Sequence, residues 1–259
     1  MKTASLLTLC AILFALGAAG ARAVSYEYDR TAPLELAIDE TRDEGTIRID
    51  SISFRSVDRI VHAALVHPRD QHDRMPGVLF VAGPSASAPG KGNEFLADAE
   101  WLARRGAVSI VPDIAWPLAG SDGDTVPSVI ELRRCLDALI ATPGVDEHHL
   151  AYVGHDIGAS YGALLASIDS RPSTFVFVAP ARTAPFDMLA ALARAALRGS
   201  FLQFGARDTS FPKDLARAFA AAVPDTDRTV STYDADHALA IDAATDERRA
   251  WLAAHLGIR

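Results

Sequence analysis

Asp156, Asp208 and His237 are the residues whose types and settings offer this chain the most chemistry. Asp156 stands in VGHDIGAS (153–160), where the apolar run LAYVG meets the small-residue run GASYGALLAS. A Gly-x-Asp-x-Gly turn between strand and helix exposes its central side chain, because the flanking glycines let the two elements come close. A carboxylate there, with a reference pKa of about 3.9, is ionised at neutral pH and needs no activation to attack carbon. Asp208 closes the stretch FGARD, and His237 lies in DADHAL. A histidine whose Nδ1 rests on a carboxylate is held in one tautomer, which leaves Nε2 free to take a proton.

These residues need elements to hold them. TIRIDSISFRS alternates apolar and polar residues, the period of a half-exposed strand, and IVHAALVHP reads as its neighbour. GVLFVAG is a continuous apolar run, which fits a strand buried on both faces, and AVSIVPD reads as another buried strand. Further strands are expected at LAYVG, 174–180, 201–208 and RTVSTYD, with helices over 94–105, 126–141, 159–168, 186–197, 212–222 and 243–255. Strands alternating with helices of this length make βαβ units and a mostly parallel sheet covered on both faces. The two early strands, with no helix between them, predict an antiparallel edge. In such sheets functional groups collect at the carboxyl ends of the strands. AGPSAS, GHD, GARD and DADHAL all fall there.

The first 23 residues stand apart. Lys2 precedes an apolar run from Leu6 to Ala19, and ARA at 21–23 fits a small-x-small cleavage site. The segment reads as a secretory signal peptide cleaved after Ala23, giving a periplasmic or secreted product. Residues 24–44 are polar and are expected to run irregularly over the surface; residues 45–259 form one domain. Cleavage removes Lys2 and Arg22 from 25 basic residues and leaves all 33 acids, a net charge of −10. That charge argues against nucleic acid or an anionic membrane as a partner and leaves a small molecule. Cys135 is then the one cysteine, so no intramolecular disulfide forms. No metal-ligand spacing is present, and His148 and His149, in GVDEHHL, read as a solvated turn. No cofactor is implied, and nothing marks an oligomeric state.

Residues 45–259 resemble the α/β-hydrolases, specifically the dienelactone-hydrolase-like group. VGHDIGASYGALLA is similar to the family's nucleophile elbow, FGARDTSFP to its acid loop and YDADHAL to its histidine loop, in the family's chain order. The resemblance implies an α/β-hydrolase fold with Asp156 in the nucleophile position, His237 as base and Asp208 orienting it. It also implies an oxyanion site at the Ile157 N–H and near Gly83 and Ser85, since Pro84 has no N–H to donate. Trp116 is a candidate wall of the substrate pocket, or equally an anchor for its loop.

Asp in place of Ser resembles haloalkane and haloacetate dehalogenases and epoxide hydrolases, whose elbows also read Gly-His-Asp. This chain departs from them in three ways. It has room for one helix, not a cap domain, between the strands at 174–180 and 201–208. It carries Ile157 where dehalogenases often place Trp, and Ala82-Gly83-Pro84 where they carry His-Gly. Four readings follow: covalent attack by Asp156, water activated by Asp156 with His237, a serine nucleophile at Ser160 or Ser85, and a binding protein on an inactive scaffold. The shortened connection also predicts an open cleft lined by the loops after Gly83, Asp113 and Pro180.

Overall fold

A computed structural model of the chain describes residues 24–72, 74–83, 94–116, 125–182, 184–224 and 227–259. The signal segment expected over residues 1–23 lies outside them. In chain order the elements are β1 (Ala37–Glu44), β2 (Ile47–Arg55), β3 (Ile60–Pro68), β4 (Met75–Val81), α1 (Leu96–Ala103), β5 (Val108–Pro112), α2 (Val126–Ala141) and β6 (Val145–Asp156). There follow α3 (Ile157–Ile168), β7 (Pro172–Pro180), α4 (Met188–Leu192), β8 (Gly199–Gly205), α5 (Lys213–Ala222), β9 (Arg228–Tyr233) and α6 (Asp242–His255). The strands form one sheet in the order β1-β2-β3-β5-β4-β6-β7-β8-β9. The pairs from β5 through β9 are parallel, and β1, β2 and β3 make the antiparallel edge.

The central strands are largely apolar because helices cover both of their faces. Every residue of β4 is buried. Its side chains alternate: Val78 and Phe80 join a core with Phe95 and Leu102 beside α1 and Leu252 of α6. Leu79 and Val81 face the other way, toward Leu132 and Leu136 of α2 and Leu165 of α3.

Three local expectations are corrected. Residues 24–45 are not wholly irregular, because Ala37–Glu44 pairs antiparallel with β2. This strand is exposed along nearly its whole length, so no burial period marks it. Polar cross-strand bonds hold it instead, from Thr41 Oγ1 to Asp50 Oδ1 at 2.6 Å and from Arg48 Nε to Asp43 Oδ1 at 2.8 Å. The stretch carrying His148 and His149 is the start of β6, not a turn, although the His148 side chain is indeed solvated, 87% exposed. The helix expected over 186–197 is only Met188–Leu192. Asp187 caps it late, its Oδ1 accepting the Ala190 N–H at 2.9 Å, and the Arg198 N–H then bonds the Ser173 carbonyl at 2.8 Å, drawing the chain into β8.

A buried ion cluster sets the last helix against the rest. Arg248 of α6 donates from Nε and Nη2 to Asp98 Oδ2 of α1 at 2.8 and 2.7 Å, and from Nη1 to Gln203 Oε1 of β8 at 3.1 Å. Arg249 Nε donates to Asp98 Oδ1 at 2.6 Å. The loop that carries His237 runs between β9 and α6, so this cluster fixes one of its ends. Asp98→Ala would leave Arg248 buried without its counter-charge and should cost about 3–5 kcal/mol. The loss should appear as a lower urea midpoint at unchanged slope, and a midpoint equal to that of the parent would show that water solvates Arg248 instead.

Candidate active site

The site is built on the end of β6. Asp156 is the last residue of that strand and the cap of α3, with φ 55° and ψ −123°. A side-chain-bearing residue held there costs about 1–3 kcal/mol and persists only where its surroundings fix it. Three contacts do so. The Asp156 carbonyl accepts the Ala181 N–H at 3.0 Å, just beyond β7. Ser160 Oγ donates to the Ala181 carbonyl at 2.9 Å. Gly158 admits the Val81 carbonyl of β4 so closely that a Cβ would collide with it. The Asp156 side chain is thereby forced up from the sheet and remains 20% exposed.

The structure brings the three predicted residues together. His237 Nδ1 lies 2.7 Å from Asp208 Oδ2, and His237 Nε2 lies 3.2 Å from Asp156 Oδ1. Asp208 performs two tasks at once. Its Oδ1 accepts the N–H groups of Ser210 and Phe211 at 2.7 and 2.9 Å, which fixes the turn toward α5, while Oδ2 faces the imidazole. The backbone of the two loops is equally close, because Gly205 leaves no room for a Cβ beside the carbonyls of Ala235 and Asp236.

The remaining candidates divide. Gly83 lies against the Asp156 carboxylate, where an added Cβ would stand 2.5 Å from Oδ2. The Ile157 N–H, at the head of α3, acts on that same carboxylate. Trp116 is both anchored and partly exposed: Nε1 donates to the Ala82 carbonyl at 3.2 Å, and its ring meets Tyr161 at 4.9 Å. Tyr161 in turn meets Phe186 edge-on at 5.2 Å, an aromatic row running from the end of β4 to the segment before α4. Ser85 and Pro84 lie outside the described residues, as do much of the loop after Gly83 and residues 117–124, and with them the predicted cleft.

Ser160 is completely buried and its hydroxyl is committed to backbone carbonyls, so it is a brace of the elbow and not a nucleophile. Cys135 is buried in α2, and burial pushes its thiol well above the ordinary range. Among the described residues no group of three or more His, Cys, Asp and Glu side chains is placed to hold a metal ion. Sequence reading missed one pair, Glu94 and His155. His155 Nδ1 lies 2.8 and 2.9 Å from the two Glu94 oxygens. The available signal was a histidine closing the apolar run LAYVG, one position before Asp156.

The charges are unequal in their effects. Burial alone would raise Asp156, but the hydrogen bond and charge of His237 outweigh it, aided by His155 and the Ile157 N–H, and hold its carboxyl below the usual range. His237 faces two carboxylates. Its hydrogen bond to Asp156 is the largest influence; burial opposes it, Asp208 adds to it, and the imidazole is pushed up to about 9. At neutral pH Asp156 is therefore ionised and His237 protonated. Because the folded His237 value is raised, its contribution to stability is full below about 6.5 and is lost as pH rises through about 9. Asp156 is lowered, so its contribution is present above 3.8 and is lost as pH falls through its lower folded value.

Asp156→Asn should therefore bring the His237 midpoint down from about 9 toward 6.5, followed by NMR of the imidazole. A midpoint that does not move would assign the whole effect to Asp208. Backbone strain gives a separate expectation. Asp156→Gly should be more stable than Asp156→Asn by roughly 1–2 kcal/mol, the relieved strain less the entropy of glycine. Equal melting temperatures would mean that the turn stores no strain.

No family model matches the chain, and no curated protein matches it. Solved structures do. Acetyl xylan esterase 1 from Thermoanaerobacterium sp. JW/SL YS485 superposes with a TM-score of 0.71 at 14% identity, over 87% of this chain and 89% of that one. An acetyl xylan esterase from Paenibacillus sp. R4 gives 0.68 at 17% identity, over 86% and 89%. A putative dienelactone hydrolase from Klebsiella pneumoniae gives 0.67 at 18% identity, over 82% and 98%. With a mostly parallel sheet, helices on both faces and only the short α4 between β7 and β8, this chain has the α/β-hydrolase fold.

Proposed function

We propose that this protein is a hydrolase of a small organic substrate that works through Asp156, Asp208 and His237, with Asp156 as a covalent nucleophile. The observation that carries this reading is the ionised Asp156 carboxylate on the strained elbow, 3.2 Å from an imidazole that Asp208 orients. A carboxylate held below its usual range is a poor base, and an imidazole already protonated is no base at all. The same carboxylate is a competent nucleophile at saturated carbon. That combination suits an epoxide or a carbon–halogen bond. Against an ester it would form an anhydride, a high-energy intermediate.

The charge of the site follows such a reaction. Attack by Asp156 breaks the carbon–oxygen or carbon–halogen bond and leaves a neutral ester. With an epoxide, the departing oxygen takes the His237 proton. With a halide, the proton goes to solvent, since the charge that held it has gone. His237 is then a base beside the ester and takes a proton from the water that attacks the Asp156 carbonyl carbon. Collapse releases the alcohol and restores the carboxylate. The Ile157 N–H is suited to stabilise the oxyanion of that second step. The expected signal segment supports a periplasmic or secreted location.

A second reading is favoured by the neighbours of this fold, among them two acetyl xylan esterases and a putative dienelactone hydrolase. In it, Asp156 and His237 activate water directly against an ester or lactone. Turnover on panels of esters, lactones, epoxides and haloacids would identify a substrate. A single turnover in oxygen-18 water then separates the routes. The covalent route puts label into Asp156 and leaves the first product unlabelled, whereas label in the product with none in the Asp156 peptide would refute it. His237→Gln should lower turnover roughly 100- to 10,000-fold and trap the ester, visible as an added mass on that peptide. Asp156→Ala should abolish activity, and tight binding without turnover on any panel would leave a binding protein.

A further inference from the structure

Glu94 and His155 take no part in the reaction above, yet they join two loops of the site. His155 immediately precedes Asp156 on β6 and is 5% exposed. One side of its ring meets Glu94, with Nδ1 2.8 and 2.9 Å from the two carboxylate oxygens. The other side meets the backbone of the proposed base, with Nε2 3.1 Å from the His237 carbonyl oxygen. The His237 carbonyl can only accept, which pairs it with an Nε2–H, while Glu94 holds the ring from its Nδ1 side. A buried ring bonded at both nitrogens has one orientation, because turning it would strand polar atoms away from water.

The places joined are far apart in the fold. Glu94 lies just before α1, at the end of the connection from β4. His237 lies in the connection from β9 to α6. Three strands, β6, β7 and β8, stand between β4 and β9, so no sheet pairing sets one connection against the other. The His237 loop is also irregular: its turn is held by Asp236 Oδ1 accepting the Ala238 N–H at 3.1 Å, and Leu239 has a φ of 46°. The imidazole of His237 reaches Asp156 and Asp208 only if its own backbone is held at the right height, and the His155 bond is made to that backbone.

We propose that Glu94 and His155 form a positioning pair that fixes the backbone of His237 over Asp156 and couples the segment leading into α1 to the base. This inference rests on the reading of His237 as the base. Glu94 braces His155 as Asp208 braces His237, so two carboxylate–histidine pairs lie with their rings 5.7 Å apart and only one faces the substrate side.

The test needs no substrate. Imidazole NMR on the full chain would follow the His237 titration and the water exchange of its Nδ1 proton, with Asp156, Asp208, His155 and Glu94 as the charged or titratable groups around it. In His155→Phe and Glu94→Ala, the His237 midpoint should fall below that of the parent. Proton exchange should be roughly tenfold faster, the scale of one lost hydrogen bond. Glu94→Gln keeps an acceptor for Nδ1 and should restore both. His237 titrating and exchanging as in the parent in folded His155→Phe and Glu94→Ala would overturn the proposal. So would Glu94→Gln matching Glu94→Ala, since the effect would then be charge and not position. If His155→Phe does not fold, Glu94→Ala decides, because that side chain is 27% exposed and outside the core. A protein inert on every panel whose His237 is loosened by these changes would lose the hydrolase reading and keep only the link from Glu94 and His155 to the His237 backbone.

Discussion

Everything at this site depends on one backbone conformation, that of Asp156. The chain leaves β6 at φ 55° and enters α3 in a single residue, which throws the side chain above the sheet. The conformation is unfavourable for any residue with a Cβ, so it exists only because neighbours on both sides leave no alternative. From the residue just beyond β7 come the Ala181 contacts to Asp156 and Ser160; from β4 comes the Val81 carbonyl lying against Gly158. Both strands lie in the buried middle of the sheet, which is the most rigid support the fold has. A turn of this kind at the exposed edge, where β1 and β9 lie, would have water and not packing around it.

The second constraint is electrostatic. Burial alone would raise Asp156 and lower His237, neutralising both, yet each is held in its charged form by the other, with Asp208 adding to the hold on His237. The array is a chain of mutual support: Asp208 is fixed by the N–H groups of its own turn, His237 by Asp208, and Asp156 by His237. Chemistry that removes one charge changes the others. Loss of the Asp156 charge would take away the largest influence that keeps the proton on His237. The scaffold around it repeats the same rule of paired burial, as in the Asp98, Arg248 and Arg249 cluster between α1 and α6.

Much of this was legible in the order of residues. The apolar run of β4, the buried β5 and the helical spacing of α2 appear where the sequence pattern puts them, because burial on both faces demands a largely apolar strand. Asp208 was legible as a partner for His237, and the structure gives one of its carboxylate oxygens to the imidazole and the other to its own turn. Edge strand β1 escaped because both of its faces meet water and its pairing uses polar groups that leave no period. Helix α4 is shorter than its composition suggests because a hydrogen bond to β7 pulls the chain away.

The sequence by itself determined the fold class, the chain order of Asp156, Asp208 and His237, and the presence of a carboxylate at a tight strand–helix turn. These follow from local chemistry: periodicity, glycine placement and residue type act over a few positions. Only the tertiary structure decided that Ser160 is a brace, that Trp116 is tied to Ala82, and that Glu94 reaches His155 across 61 positions of chain. Those roles depend on which carbonyl or carboxylate lies opposite a side chain after the sheet has assembled. Such distances are set by packing between strands remote in sequence, and no spacing along the chain encodes them.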